Sequence, residues 1–245
     1  MSKDKIRLDL LLVQKGLAES REKAKALIMA GEVEVNKVRA EKPGHSVPLS
    51  SNISLKKPYP PYVSRGGLKL EAALDHFSIN VEGLTLLDIG ASTGGFTDCL
   101  LKRGVEKVIA VDVGYGQLHW KLRRDPRVTI LEKKNARYLK PHDLKDKING
   151  AVIDVSFISL KLVVPPVSRL LLDNSFIVAL IKPQFEVGRH QVGKGGVVRD
   201  PLLHKEVNDC LSGFFENQNW SVTGLIPSPI LGPKGNREFL IYMKR

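Results

Sequence analysis

The sequence predicts an α/β protein whose larger part is a doubly wound, mostly parallel sheet, preceded by a small α+β domain. Three features of its 245 residues predict this. Between Leu84 and Thr97 an apolar run ends in Asp88 and breaks into Gly90, Gly94 and Gly95 before a helical pattern, the strand, glycine turn and helix with which such a sheet builds a crevice at its carboxyl edge. From Leu84 onward short apolar runs alternate with helical segments, as a sheet covered on both faces requires. A proline-stiffened stretch, Lys57-Pro-Tyr-Pro-Pro-Tyr62, separates that pattern from a shorter one and divides the chain into domains at 1–62 and 63–245.

Charge points to the partner. Lys and Arg number 38 against 26 Asp and Glu, a net charge of +12 with an isoelectric point near 9.7, which suits a polyanion whose counterions are released on binding. A mean hydropathy of -0.11 fits a soluble globular protein. The charged amino terminus is unlike a signal peptide, and no run approaches the roughly 18 apolar residues of a membrane span, so a cytoplasmic protein is expected. The two cysteines, Cys99 and Cys210, are far apart and are both expected to be buried, reduced thiols. Six scattered histidines form no ligand motif, and no metal site is expected.

The first element is a helix from Arg7 to Lys15, with Leu8, Leu11 and Leu12 at helical spacing and Gly16 as its stop. Ser20 then caps a second helix, Arg21 to Ala30, which turns Ala24, Leu27 and Ile28 inward and leaves Arg21, Lys23 and Lys25 outside. Val33 to Val35 begins a strand, and Asn36-Lys37 a tight turn. The string RLDLLLVQKGLAESREKAKALIMAGEVEVN resembles the S4 RNA-binding domain over essentially its whole length. That resemblance implies two helices on a short sheet with a basic face against structured RNA, and makes Arg7, Arg21, Lys23, Lys25, Lys37 and Arg39 the candidate contacts. Through Tyr62 twelve Lys and Arg face seven Asp and Glu, so the +12 divides into +5 here and +7 beyond.

Ser64-Arg-Gly-Gly67 leads into a helix from Leu68 to Phe77, with Leu70, Leu74 and Phe77 as its buried stripe. Lys69 falls in the first turn, where the positive dipole end disfavours a cation, and that misfit marks it as functional. Strands are expected at Thr85 to Ile89, Lys107 to Asp112, Val128 to Leu131, Gly150 to Val155, Phe176 to Ile181, Ser221 to Pro227 and Glu238 to Met243. The last connection is too short for a crossover helix, so the final two strands pair antiparallel.

The glycine spacing selects the ligand. Gly90 is not followed by the second glycine of the pyrophosphate fingerprint, and the chain reads D-x-G-x-x-x-G-G instead. This resembles the first motif of S-adenosylmethionine-dependent methyltransferases, whose Rossmann-like fold has seven strands with one reversed. Asp112, closing the next apolar run, stands where a second-strand acid meets both ribose hydroxyls. The resemblance implies cofactor contacts from Asp88, Gly90, Ala91, Ser92, Gly94, Gly95, Phe96, Thr97, Asp112 and Asp154, with Asn135 and Ala136 at the adenine and Ser156-Phe157 beside the methionine end.

Lys69, Asp154, Lys182 and Glu238 fall at strand or helix ends on one edge of the sheet. They resemble the K-D-K-E set of FtsJ-type ribose 2′-O-methyltransferases. With SRGGLKL, LDIGASTGGFTDCLL, IDVSFISL, IKPQFEVG and GKGGVVRD, nearly the whole chain resembles the TlyA family, called hemolysins in older naming and ribosomal-RNA 2′-O-methyltransferases by activity. Ser92-Thr93 and Phe96 depart from the FtsJ enzymes, which commonly carry proline and tryptophan there, and fit the TlyA branch. The resemblance implies transfer of a methyl group from S-adenosylmethionine to a ribose 2′-hydroxyl of cytidine in ribosomal RNA, with Lys182 taking the proton, Asp154 and Glu238 aligning the lysines and sugar, and Lys69 steadying the oxyanion. Arg65 joins the RNA contacts, as do Arg189, Lys194 and Arg199 in the long glycine-rich loop Gln184 to Asp200, which suits ordering on RNA. A cytolysin would need membrane-spanning strands or an amphipathic apolar helix, and neither is visible. An assembly factor with a dead methyltransferase fold would not need the full glycine loop, Asp112 and all four polar residues. Which nucleotide and subunit are modified, and the oligomeric state, stay open.

Overall fold

The computed structural model describes residues 4–56 and 61–245, apart from the Arg189 side chain. The stretch expected to link the domains lies, from Lys57 to Pro60, outside the described residues. The chain divides into two compact units, Met1–Pro61 and Tyr62–Arg245.

In the first unit β1 (Lys5–Arg7) runs into α1 (Leu8–Gln14), which starts one residue later than the spacing predicts because Arg7 still belongs to the strand. In α2 (Arg21–Met29) the Ser20 hydroxyl accepts the Lys23 amide at 3.2 Å, the capping bond that starts the helix. β2 (Val33–Val35) turns back into β3 (Val38–Arg39) through Asn36 and Lys37, both at positive φ, the twist a two-residue hairpin needs. β4 (Ser46–Pro48) pairs with β1, and β5 (Ile53–Leu55) with β2, both antiparallel. Leu8, Leu11 and Leu12 of α1 and Ala24 and Ile28 of α2 meet Val33 and Val47 in a small buried core.

In the second unit α3 (Gly66–His76) starts two residues earlier than expected, because Gly66 and Gly67 leave room that side chains would fill: a Cβ on Gly67 would strike the Tyr62 ring. There follow β6 (Thr85–Ile89), α4 (Gly95–Lys102), β7 (Lys107–Asp112), the short α5 (Trp120–Arg123), β8 (Val128–Glu132), β9 (Ile148–Ile153), α6 (Leu160–Ser168), β10 (Leu171–Ile181), α7 (Pro201–Glu216), β11 (Ser221–Pro227) and β12 (Phe239–Lys244). The sheet order is β11-β12-β10-β9-β6-β7-β8, with β12 antiparallel to both of its neighbours. β9, β6, β7 and β8 run parallel, as does β10 beside β9.

Period-two alternation divides the strand side chains between two cores. Leu86, Val108, Val178 and Leu240 pack with Leu70, Leu74 and Leu100 under α3 and α4. Leu87, Ile89, Ile109 and Ile241 pack with Val163, Val164, Leu211 and Phe215 under α6 and α7. Strand ends differ from expectation where a residue leaves the ladder. β9 stops at Ile153, so Asp154 stands just off its end; β12 starts at Phe239, so Glu238 just precedes it. β10 begins five residues earlier than expected, at Leu171, through an irregular register that breaks between Leu171 and Phe176. Cys99 is buried, but Cys210 is exposed, which corrects the expectation for it. The buried stripe of α7 is His204, Val207, Leu211 and Phe215, and position 210 falls on the outer side of that stripe. Among the described residues no helix is long and apolar enough to cross a membrane.

Candidate active site

The carboxyl ends of β6, β9 and β10 and the start of β12 bring the candidate residues to one edge. Gly90, at φ +84°, ends β6 so close to β9 that a Cβ would lie 2.5 Å from the Asp154 carbonyl oxygen. No L side chain fits there, and the close approach lets the two strand ends share one cleft. Gly94, at φ +94°, lies under Leu118 and Leu122, whose side chains a Cβ would strike. A Cβ on Gly95 would stand 2.9 Å from the Gly67 amide, so the amino ends of α3 and α4 also meet over glycine.

Asp88 is fully buried beneath this turn. One carboxyl oxygen accepts the Thr97 hydroxyl at 2.6 Å and the other has no partner; burial pushes the group up to about 7. Asp112 accepts two backbone amides, Ser92 at 2.8 Å and Gly114 at 2.7 Å, so the second-strand acid also fixes the loops on either side of it. Each oxygen keeps a lone pair for a hydroxyl. A small hollow beside it has apolar walls in Leu118 and Ile130. This glycine cradle, with a carboxylate and an apolar slot beside it, fits the ribose and adenine of S-adenosylmethionine.

Lys69, Asp154, Lys182 and Glu238 line one cleft of about 380 Å³, together with Gly90 to Thr93 and Gly95-Phe96. They form two ion pairs. Lys69 Nζ donates to Glu238 Oε2 at 2.5 Å, both side chains being buried, and this acid answers the dipole misfit at the start of α3. Glu238 Oε1 is buried without a partner. Lys182 Nζ lies 2.6 Å from Asp154 Oδ1 and donates to Ser156 Oγ at 2.9 Å. Two lysine–carboxylate pairs therefore face the glycine turn. Arg65 is exposed on the cleft wall.

Other expected contacts lie elsewhere. Gly94 and Thr97 support the turn from below, and neither they nor Asp88 face the cleft. Asn135 caps a one-turn helix by accepting the Arg137 amide at 3.1 Å, and Ala136 packs into the core under α6; neither lines the cleft. The loop Gln184 to Asp200 is built rather than free: Asn236 Oδ1 accepts the Val198 amide at 3.1 Å and its Nδ2 donates to the Gly196 carbonyl at 3.0 Å. Lys194 and Arg199 are exposed on it, while the Arg189 side chain lies outside the described residues.

Two acids that sequence reasoning passed over organise their surroundings. Glu186 is a largely buried carboxyl, raised by that burial, which accepts the Ser159 hydroxyl at 2.6 Å and the Leu160 amide at 2.8 Å. It ties the loop after Lys182 to the helix start after Asp154. Phe157, at φ +64° and 89% exposed, packs against Phe185 with ring centres 4.9 Å apart and planes tilted by 46°, across the same two loops. In the first unit the buried Asp9 accepts Arg7 Nε at 3.0 Å, Arg7 Nη2 at 2.9 Å and Arg21 Nε at 3.2 Å. The Arg7 hydrogen bonds, with those of Arg21, hold its carboxyl down to about 2. Two of the expected RNA contacts are thus oriented by a buried acid, with their guanidinium groups still reaching solvent. Lys23, Lys37 and Arg39 are exposed, and Lys25 is half-buried. Among the described residues no cluster of His, Cys, Asp or Glu could hold a metal.

Both units are similar to known proteins. The model of the FtsJ-like methyltransferase family matches residues 62–245, and that of the S4 domain residues 6–53. A Bacillus subtilis (strain 168) protein, YqxC, which carries a provisional rRNA methyltransferase name, is 50% identical over 99% of this chain and 87% of its own. The 16S/23S rRNA (cytidine-2′-O)-methyltransferase TlyA of Mycobacterium tuberculosis (strain ATCC 25618 / H37Rv) is 44% identical over 97% of this chain and 89% of its own. A solved structure from Streptococcus thermophilus, provisionally named a hemolysin, superposes with a TM-score of 0.77 at 46% identity, covering 100% of this chain and 90% of that one.

Proposed function

This chain belongs to the FtsJ-like methyltransferase family, in the TlyA branch that carries an S4 domain, and from that premise we propose that it methylates the ribose 2′-hydroxyl of a cytidine in ribosomal RNA. It is an S-adenosylmethionine-dependent enzyme. The observation that carries the reading is the convergence of two lysine–carboxylate pairs on the glycine-lined cleft.

When bound, S-adenosylmethionine supplies a methyl group already activated by its sulfonium. The protein's own task is to orient a poorly nucleophilic hydroxyl and to manage its proton. Lys182, as its free amine, is the group we assign to that proton, with Asp154 and Ser156 fixing its Nζ at the end of β10. Lys69, held by Glu238, presents a positive charge to the oxygen as it loses its proton. Asp112, with the turn it pins, would hold the ribose end of the cofactor. Arg7, Arg21, Lys23, Lys25, Lys37 and Arg39 of the first unit, with Arg65, Arg189, Lys194 and Arg199 of the second, supply charge toward RNA phosphates.

The test is incubation of the full chain with methyl-labelled S-adenosylmethionine and unmodified small and large ribosomal subunits, followed by mass mapping of the digested RNA. One added ribose methyl is expected, with Lys182→Ala reducing the rate by roughly a hundredfold or more while cofactor binding by calorimetry is retained. Unimpaired transfer by Lys182→Ala would remove that residue from the proton step, and absence of transfer to either subunit by the wild type would overturn the substrate.

A further inference from the structure

The charge of the second unit is unevenly spread. Residues 113–147 hold ten Lys and Arg (Lys121, Arg123, Arg124, Arg127, Lys133, Lys134, Arg137, Lys140, Lys145, Lys147) against four Asp and Glu (Asp125, Glu132, Asp143, Asp146). That leaves +6 in 35 residues, almost the whole of the +7 that the sequence assigns beyond Tyr62. All four acids are already matched: Glu132 by Arg123, Asp125 by Arg127, Asp143 by Lys134 and Asp146 by Lys107. The surplus therefore faces solvent.

Aromatic side chains are interleaved with it. Tyr115 is 71% exposed, Trp120 56% and Tyr138 70%; among the described residues the only other strongly exposed aromatic is Phe157. Each of the three has a cation over its ring: Lys133 on Tyr115 at 4.8 Å, Arg124 on Trp120 at 5.5 Å and Arg137 on Tyr138 at 5.2 Å. Seven such contacts are found among the described residues, and three of them fall in this stretch. The backbone beneath is anchored: Leu118 and Leu122 are buried against Gly94, which leaves Trp120, between them in sequence, turned outward. All three rings follow β7 or β8 at their carboxyl ends, on the edge of the sheet that carries the cofactor cleft.

We propose that this surface, built on Tyr115, Trp120 and Tyr138 with Lys133, Arg124 and Arg137, binds unpaired nucleotides of the ribosomal RNA that flank the methylated one. Unstacked bases lie on exposed aromatic faces, and a base is worth about 1 to 3 kcal/mol there, while the adjoining cations move from the ring to a phosphate. The surface rests on the reading of the enzyme as an RNA methyltransferase and extends it beyond the cleft and the first unit.

Two full-chain variants test it. One replaces the rings (Tyr115→Ala, Trp120→Ala, Tyr138→Ala) and the other the cations (Arg124→Gln, Lys133→Gln, Arg137→Gln). Filter binding to unmodified subunits across a salt series should show roughly tenfold or greater loss of affinity in both, with the log-log salt slope lowered by roughly 2 to 3 in the cation set alone. Cofactor affinity, and the methylation rate at saturating subunits, should stay at wild-type values in both. A single-stranded uridine decamer should quench the emission of Trp120, which is separable because the chain's other tryptophan, Trp220, is buried. Wild-type subunit affinity and salt slope in both variants would overturn the surface; loss in the cation set only, without quenching, would overturn the stacking. A wild type that neither binds nor methylates subunits would overturn the parent reading and this one together, whereas an active wild type with unaffected variants overturns this one alone.

Discussion

Asp88 illustrates how much one side chain can depend on its surroundings. An acid at the end of a parallel strand is ordinarily half in water, but here the glycine turn closes over it and burial holds its carboxyl near 7. The sign of the consequence is fixed by linkage. The unfolded carboxyl ionises near its ordinary value of about 4 while the folded one keeps its proton to about 7, so Asp88 favours the folded state at low pH. That stabilisation drains away as pH rises from about 4 to about 7. Asp88→Asn, which can still accept the Thr97 hydroxyl, should lack this slope; urea midpoints of the two proteins across that range would diverge, and parallel profiles would show Asp88 to be an ordinary carboxylate. The Lys69–Glu238 pair makes a different demand, because breaking a buried pair leaves a charge without compensation. Lys69→Met and Glu238→Gln should each lower the unfolding free energy by about 3 kcal/mol, and the double variant by clearly less than the sum, in a denaturant double-mutant cycle.

The loops after β9 and β10 act as a single piece. Lys182 reaches back to Asp154 and Ser156, Phe185 packs against Phe157, and Glu186 closes the far end by accepting from Ser159 and Leu160. Removing both Glu186 bonds should let the Lys182 and Asp154 tips drift without touching the cofactor cradle. Glu186→Ala is therefore expected to lower kcat about tenfold with cofactor affinity unchanged, and Glu186→Gln, which keeps an acceptor, to recover most of the rate; an equal fall in cofactor affinity would make the residue merely structural. The elements that sequence reasoning found are those with a local signature: the Ser20 cap, the Asn36-Lys37 turn, the alternating runs and the D-x-G-x-x-x-G-G turn each follow from neighbours in the chain. Glu186 and Asp9 were not found because their partners are known only once the chain has folded; the same holds for the exposed rings of residues 115–138, which in sequence look like ordinary apolar residues of a loop. Cys210 was misplaced for a related reason, since a short cysteine reads as apolar while the stripe that decides its burial is set by the packing of α7 on the sheet.

Net charge is a property of the whole chain, and its division into +5 and +7 means that both units attract RNA. Two weak electrostatic contacts joined by one chain give an affinity that neither has separately, because once one is made the other meets its site at high effective concentration. Loss of either contact should therefore cost more than its own share of the charge suggests. On the first unit the cleanest place to see this is Lys23 and Lys25, since replacing Arg7 or Arg21 would also take a partner from the buried Asp9. Lys23→Glu with Lys25→Glu should weaken binding to ribosomal subunits by more than tenfold near physiological salt and lower the log-log salt slope by about 2, since each lost phosphate contact accounts for roughly 0.9. Cofactor affinity should not change, because the glycine cradle and Asp112 belong entirely to the second unit. Filter binding over a potassium chloride series reads both quantities. An unchanged slope would mean that these two lysines are a solvated helix face and make no phosphate contact.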